Sequence, residues 1–98
     1  MKVVFHQLVY SDLAQIMTYY EGVAGSELAE DFYDEFLFFV HKAAAQPEIY
    51  QIRGARNLRR VNLKRFPYHF LFRIVDGAVR ILVVRHHRRD PSLGTKRI

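Results

Sequence analysis

The order of patterns along the chain predicts an α+β domain, β-α-α-β-β-β, with a helical hairpin packed on one face of a small antiparallel sheet. Three observations lead there. The first half holds two segments whose apolar residues recur at helical spacing. The stretch Asn57 to Arg89 reads as three consecutive strands. Within it, Asp76-Gly77 is a two-residue hairpin signal.

Taken in order, Lys2 to His6 contains Val3, Val4 and Phe5, β-branched and aromatic residues that suit an edge strand. From Leu8 to about Glu21, Val9, Leu13, Ile16, Met17 and Tyr20 fall on one helical stripe. Gly22 and Gly25 bracket a short break, and Ser26 or Gly25 can cap the next helix. That second helix runs from about Glu27 to Ala45, with Leu28, Phe32, Phe36, Phe39, Val40 and Ala43 as its stripe. Acids crowd its first half and Lys42 sits near its end, as the helix dipole favours. Pro47 stops it. A break this short makes the two helices antiparallel neighbours.

Pro47 to Arg56 is a connecting loop, and Arg59 to Lys64 alternates cleanly as a strand. Phe66-Pro67 interrupts it. In Tyr68 to Val75, the positions Tyr68, Phe70, Phe72 and Ile74 point toward the helices. In Val79 to Arg85, Val79, Ile81 and Val83 share that face. The other face of the sheet then collects Arg60, Asn62, Lys64, His69, Leu71, Arg73, Arg80, Leu82, Val84 and His86. Leu71, Leu82 and Val84 are out of place on a wet sheet face. They read as part of a binding surface; the alternative is that the C-terminal tail folds back over them. Asp90 to Ile98 reads as a basic tail of the single domain 1–98 and not as an element.

Composition narrows the function classes. Half of the 98 residues are hydrophobic, which is too many for a disordered chain. No apolar run approaches the roughly 20 residues of a membrane span, and no secretory leader opens the chain. A cytoplasmic location with no membrane partner is expected. There is no cysteine, so disulfides and thiolate metal sites are ruled out. His86-His87 is the one pair that suggests a metal, but neighbours on a strand point to opposite faces. No metal and no cofactor are expected.

The net charge of +5 is unevenly placed. Residues 1–52 carry Lys2 and Lys42 against eight acids; residues 53–98 carry thirteen Lys and Arg against Asp76 and Asp90. That separation suits an anionic partner, whether nucleic acid, an acidic protein or a membrane surface. The plainer alternative is mutual attraction between acidic helices and basic sheet.

Several pieces, in order, carry a family resemblance. They are Val9-x-x-Asp12-Leu13-x-x-Ile16, the Phe32 to Leu37 stretch, Pro47, Arg59-Arg60-Val61, Arg65-Phe66-Pro67-Tyr68, the hairpin after Asp76, and His86-x-x-Arg89-Asp90-Pro91. Together they resemble the RelE/ParE superfamily of toxins from type II toxin–antitoxin systems, in its ParE-like branch. The resemblance implies a bacterial growth inhibitor neutralised by a cognate antitoxin, whose extended, partly helical segment lies along the helices and sheet. ParE-like members resemble non-enzymatic inhibitors of DNA gyrase. RelE-like members cleave messenger RNA in the ribosome with a basic set on the central strands and a tyrosine near the C-terminus.

Aligned on Phe66-Pro67-Tyr68 and the last strand, the basic set falls on Arg60, Asn62, His69 and Arg89. Asn62 replaces a cation, and the tyrosine position falls near Thr95 in a tail without tyrosine. The resemblance therefore implies a non-catalytic gyrase inhibitor, with an endoribonuclease acting through Arg60, His69 and Arg89 as the alternative. In the latter, a histidine would do acid–base work and arginines would hold the phosphate. The expected surface for antitoxin or target is Arg60, Lys64, Leu71, Arg73, Arg80, Leu82, Val84, His86 and Arg89.

Overall fold

The computed structural model describes residues 1–98. Its elements are β1 (Lys2–Phe5), α1 (Gln7–Ala24), α2 (Ser26–Ala45), β2 (Arg59–Asn62), β3 (Tyr68–Val75) and β4 (Ala78–His86). The strands form one sheet in the order β1-β4-β3-β2. β2, β3 and β4 are antiparallel neighbours. β1 is an edge strand, as its sequence suggests, but it runs parallel to β4. The sheet is therefore mixed and not wholly antiparallel. The cause is topological: the helical hairpin and two strands intervene between β1 and β4, so no hairpin turn constrains their relative direction.

The helices are longer than periodicity alone indicates. Gly22 stays helical, and the break contracts to Gly25, whose φ of 91° favours glycine. His6 caps α1 with its own ring, Nδ1 accepting from the Leu8 N–H at 3.1 Å. In the turn between β3 and β4, Asp76 and Gly77 have φ of 51° and 74°, the doubly left-handed geometry of a tight hairpin.

The core lies between the helical hairpin and one sheet face. Val9, Leu13 and Ile16 of α1 and Phe32, Phe36, Phe39, Val40 and Ala43 of α2 meet Phe70, Phe72, Val79 and Ile81. Rings lock the two layers together. Phe32 stands edge-on to Phe66 at 5.4 Å, and Phe36 edge-on to Phe70 at 5.5 Å. Each such pair contributes about 0.5–1.5 kcal/mol beyond its buried area.

One irregularity decides which side chains reach which face. The β3–β4 register runs Leu71 opposite Val83 and then Phe72 opposite Ile81, so Leu82 is an extra residue. Beyond that bulge the pleat of β4 is inverted. Val84 lies opposite Phe70 and joins the main core, while Val83 and Arg85 turn to the other face. Strict alternation would put Val84 and His86 on the outer face, and the structure corrects both.

β1 also ends beside the bulge, leaving β4 backbone groups without a strand partner. A side-chain pair takes them. Asp12 of α1 accepts the Val84 N–H at 3.1 Å, and Arg97 donates to the Leu82 carbonyl at 3.0 Å. Asp12 and Arg97 are themselves joined by two bonds of 2.6 and 3.1 Å.

Candidate functional site

The outer sheet face has two halves. The first is apolar and covered. Leu58, Leu71, Leu82 and Val83 form a small buried cluster with Leu93 packed on it. Residues 90–98 are thus a strap and not a free tail. Arg85 donates to the Pro91 and Leu93 carbonyls at 2.8 and 2.7 Å, and Arg56 reaches the Thr95 carbonyl at 3.0 Å. Gly94 sits so close that a Cβ there would lie 2.5 Å from Val83 Cβ. Leu71 and Leu82, expected as exposed contacts, are sealed because the strap buries them.

The second half is basic and open. His69 of β3 is buried and stacks on exposed His87, with planes 7° apart and Nδ1 atoms 2.9 Å from each other. Arg85 Nε donates to His69 Nε2 at 2.9 Å. A ring nitrogen that accepts carries no proton, so His69 is neutral and its proton is on Nδ1. That proton goes to His87 Nδ1, which also accepts from Arg60 Nη2 at 3.3 Å. His87 is therefore the Nε2–H tautomer. Arg60 is fixed in turn by Asn62, whose Oδ1 accepts its Nε–H at 2.8 Å.

No carboxylate hydrogen-bonds to this network, although Asp90 lies near enough to Arg85 to favour its charge. Burial, then Arg60, Arg85 and the neighbouring histidines push His69 down to about 3. Burial, Arg60 and His86 lower His87 as well. Arg60 is lowered by burial and by the Arg53 guanidinium. Every shift runs against holding another positive charge.

The remaining expected residues are dispersed. Arg73 and Arg80 face each other across β3 and β4. Arg80 reaches the Ile98 carbonyl at 3.2 Å, and Arg73 keeps a buried Nε without a partner. Lys64 is exposed just past β2. His86 points to the helix side, edge-on to Tyr68 at 5.1 Å. Arg89 is exposed and lines a cavity of about 330 Å³ between α1 and the end of β4, shared with Asp12, Tyr19, Tyr68 and His86. Of the three nuclease candidates, Arg60 and His69 share one network through His87, whereas Arg89 bonds to neither and sits with the helix-side group. No three His, Asp or Glu side chains converge as a metal site would require.

Sequence reasoning missed Arg53, Arg85 and His87. A signal was present in Ile81-Leu82-Val83-Val84. Four aliphatic residues in a row cannot alternate between a core face and a wet face, so either a bulge or a second cover was required.

The family described as "ParE toxin of type II toxin-antitoxin system, parDE" matches residues 3–91. The chain belongs to this ParE toxin family. Among solved structures, it is similar to a chain of the "Chromosomal ParDE TA system from P. aeruginosa", with a TM-score of 0.77 and 20% identity over 88% of this chain and 95% of that one. At that identity the likeness concerns the fold. No curated protein matches the chain significantly. Membership makes it a toxin component whose system includes an antitoxin. No helix is long and apolar enough to cross a membrane.

Proposed function

We propose that this ParE-family toxin arrests bacterial growth in the cytoplasm by binding DNA gyrase without catalysis, and that a cognate antitoxin blocks it. The state of His69 supports the non-catalytic reading most directly. A general acid–base group should be open to its substrate and titrate near neutrality. His69 is buried, both ring nitrogens are engaged, and it is pushed down to about 3 by burial and by neighbouring cations. Arg89, the other arginine of the ribonuclease alternative, lines the helix-side cavity and bonds to neither Arg60 nor His69.

The antitoxin surface in this reading consists of Arg60, Lys64, Arg73, Arg80 and Arg89, which suit an acidic segment that orders on binding. Leu71 and Leu82 would reach a partner only after the strap lifts. Expressing the chain without its antitoxin tests the proposal. Replication should stop before translation, and the purified chain should inhibit supercoiling by purified gyrase. A translation block with transcripts cut inside ribosomes would overturn it in favour of messenger RNA cleavage.

A further inference from the structure

We propose that β1 is a self-pairing edge, through which two copies of this chain join antiparallel into one continuous sheet, independent of whether gyrase is the target. Three features point there. First, the β1 backbone is only half spent. β1 pairs with β4 alone, and just past it the His6 N–H goes to the Ile81 carbonyl at 2.9 Å. Alternation then turns Lys2 and Val4 toward β4 and leaves the N–H and C=O of Val3 and Phe5 on the open side. No turn, cap or loop bond reaches those groups. The opposite edge of the sheet differs. There Ile52 bridges to Arg59 of β2, the Arg53 N–H goes to the Leu58 carbonyl at 2.7 Å, and Arg59 reaches the Tyr50 carbonyl at 2.7 Å.

Second, the open edge is apolar. Val3, Val4 and Phe5 are half-buried, and the exposed Tyr10 ring lies 6.2 Å from that of Phe5. No proline or bulge blunts the strand, and Lys2, at its first residue, is its one charge. Third, the edge matches a reversed copy of itself. With Val4 facing Val4 on the twofold axis, Val3 of each copy and Phe5 of the other exchange N–H···O=C bonds. Their side chains stay on the helix side, where both already pack on the core. Lys2 then meets His6 and not a second lysine. The charge of α2 follows the same polarity. Met1 N lies 2.9 Å from the Ala44 carbonyl, so β1 starts at the end of α2 that carries His41 and Lys42. Phe5 lies 6.2 Å from Phe36, toward the half that carries Glu27, Glu30 and Asp34. Reversal brings the cationic end of each copy beside the acidic side of the other, which an acidic partner strand does not reproduce.

Sedimentation equilibrium of the purified full chain, with amide exchange followed at several concentrations, reads the edge directly. The expected result is a dimer whose population rises with concentration, while exchange at Val3 and Phe5 slows in step. Those two amides have no acceptor within one copy, so their protection reports this pairing and no other. Val3→Pro removes one donor from each copy and should weaken the dimer about thirtyfold, as expected for two hydrogen bonds. It leaves the ladder to β4 intact, and retained protection of the Val4 N–H checks that. Val4→Lys sets two ammonium groups opposite each other on the axis and should also separate the copies. Mixing Val4→Lys with Val4→Glu chains should restore pairing. Val23 is 64% exposed, as Tyr10 is 63%, but lies at the far end of α1, so Val23→Ser should leave the dimer unchanged.

Four outcomes overturn the proposal. One is a chain that stays monomeric up to millimolar concentration. Another is a dimer in which Val3 and Phe5 still exchange fast, which would place the contact on another face. A third is a Val4→Lys and Val4→Glu mixture that pairs no better than either chain alone. The last is protection of Val3 and Phe5 that arises only when the cognate antitoxin is added, which would make the occupant an antitoxin strand.

Discussion

Removing Asp12 should be the most damaging single change outside the aromatic core. Its carboxylate does two jobs at once: it accepts the Val84 N–H left free beside the bulge, and it holds Arg97 by two bonds. Both side chains are mostly buried, with 13% of Asp12 and 14% of Arg97 exposed. Breaking one side of a buried pair costs about 3–5 kcal/mol, and the residual exposure places this pair near 3. In a domain of this size each kcal/mol moves Tm by about 4–8 °C, so Asp12→Ala should melt at least roughly 12 °C lower. Asp31→Ala is the internal contrast. It removes a pair with similar contact distance, but Arg65 and Asp31 are 59% and 41% exposed, and such pairs contribute about 1 kcal/mol or less. Thermal and urea unfolding of both variants, with Arg97→Ala and the double mutant closing a cycle, measure the difference. If Asp12→Ala melts within about 4 °C of the parent, or no lower than Asp31→Ala, the account of the bulge and strap is wrong.

Two further outcomes rest on the strap and the histidine stack. His69 titrates near 6.5 when unfolded and near 3 when folded, so between those values the unfolded chain binds the extra proton. The stability it contributes is complete above pH 6.5 and falls toward pH 3, by up to about 1.4 kcal/mol per pH unit; urea midpoints between pH 7.5 and 5 should fall, and His69→Gln should flatten that slope. Gly94→Ala places a Cβ against Val83 at a φ of 80°, so it should destabilise by about 1–3 kcal/mol and speed amide exchange at Leu93, Thr95 and Arg97, whose N–H groups hold the strap's turns.

The elements were legible in the sequence wherever a local pattern decides the outcome. The stripe Phe32, Phe36, Phe39, Val40 and Ala43 is buried as its spacing requires, and Asp76-Gly77 makes the turn that its residue types favour. What failed is non-local. The direction of β1 depends on its partner β4, which lies more than seventy residues away. The facing of Val84 and His86 depends on one inserted residue, and parity counting has no means of detecting it. The strap was legible only as an alternative, because Arg85, Arg56 and Arg97 hold it through backbone carbonyls whose positions a sequence does not reveal. The histidine–arginine network was missed for the same reason as Val84: once the pleat inverts, Arg85 joins His69.

The ion pairs decide between the two explanations of the charge asymmetry. If attraction between acidic helices and basic sheet accounted for it, the two halves should be stitched together by such pairs. They share two, Arg65–Asp31 and Arg97–Asp12. The other eleven cations of residues 53–98 make no ion pair with a carboxylate. Several are instead committed to backbone carbonyls, as Arg56, Arg59, Arg80 and Arg85 are. Such a bond satisfies the donors but leaves the full positive charge in place. The fold therefore uses the hydrogen-bonding capacity of its arginines while keeping their field, as where Arg60 and Arg85 flank two neutral histidines. Long-range attraction for an anionic partner survives folding in this arrangement, and it should weaken steeply with added salt.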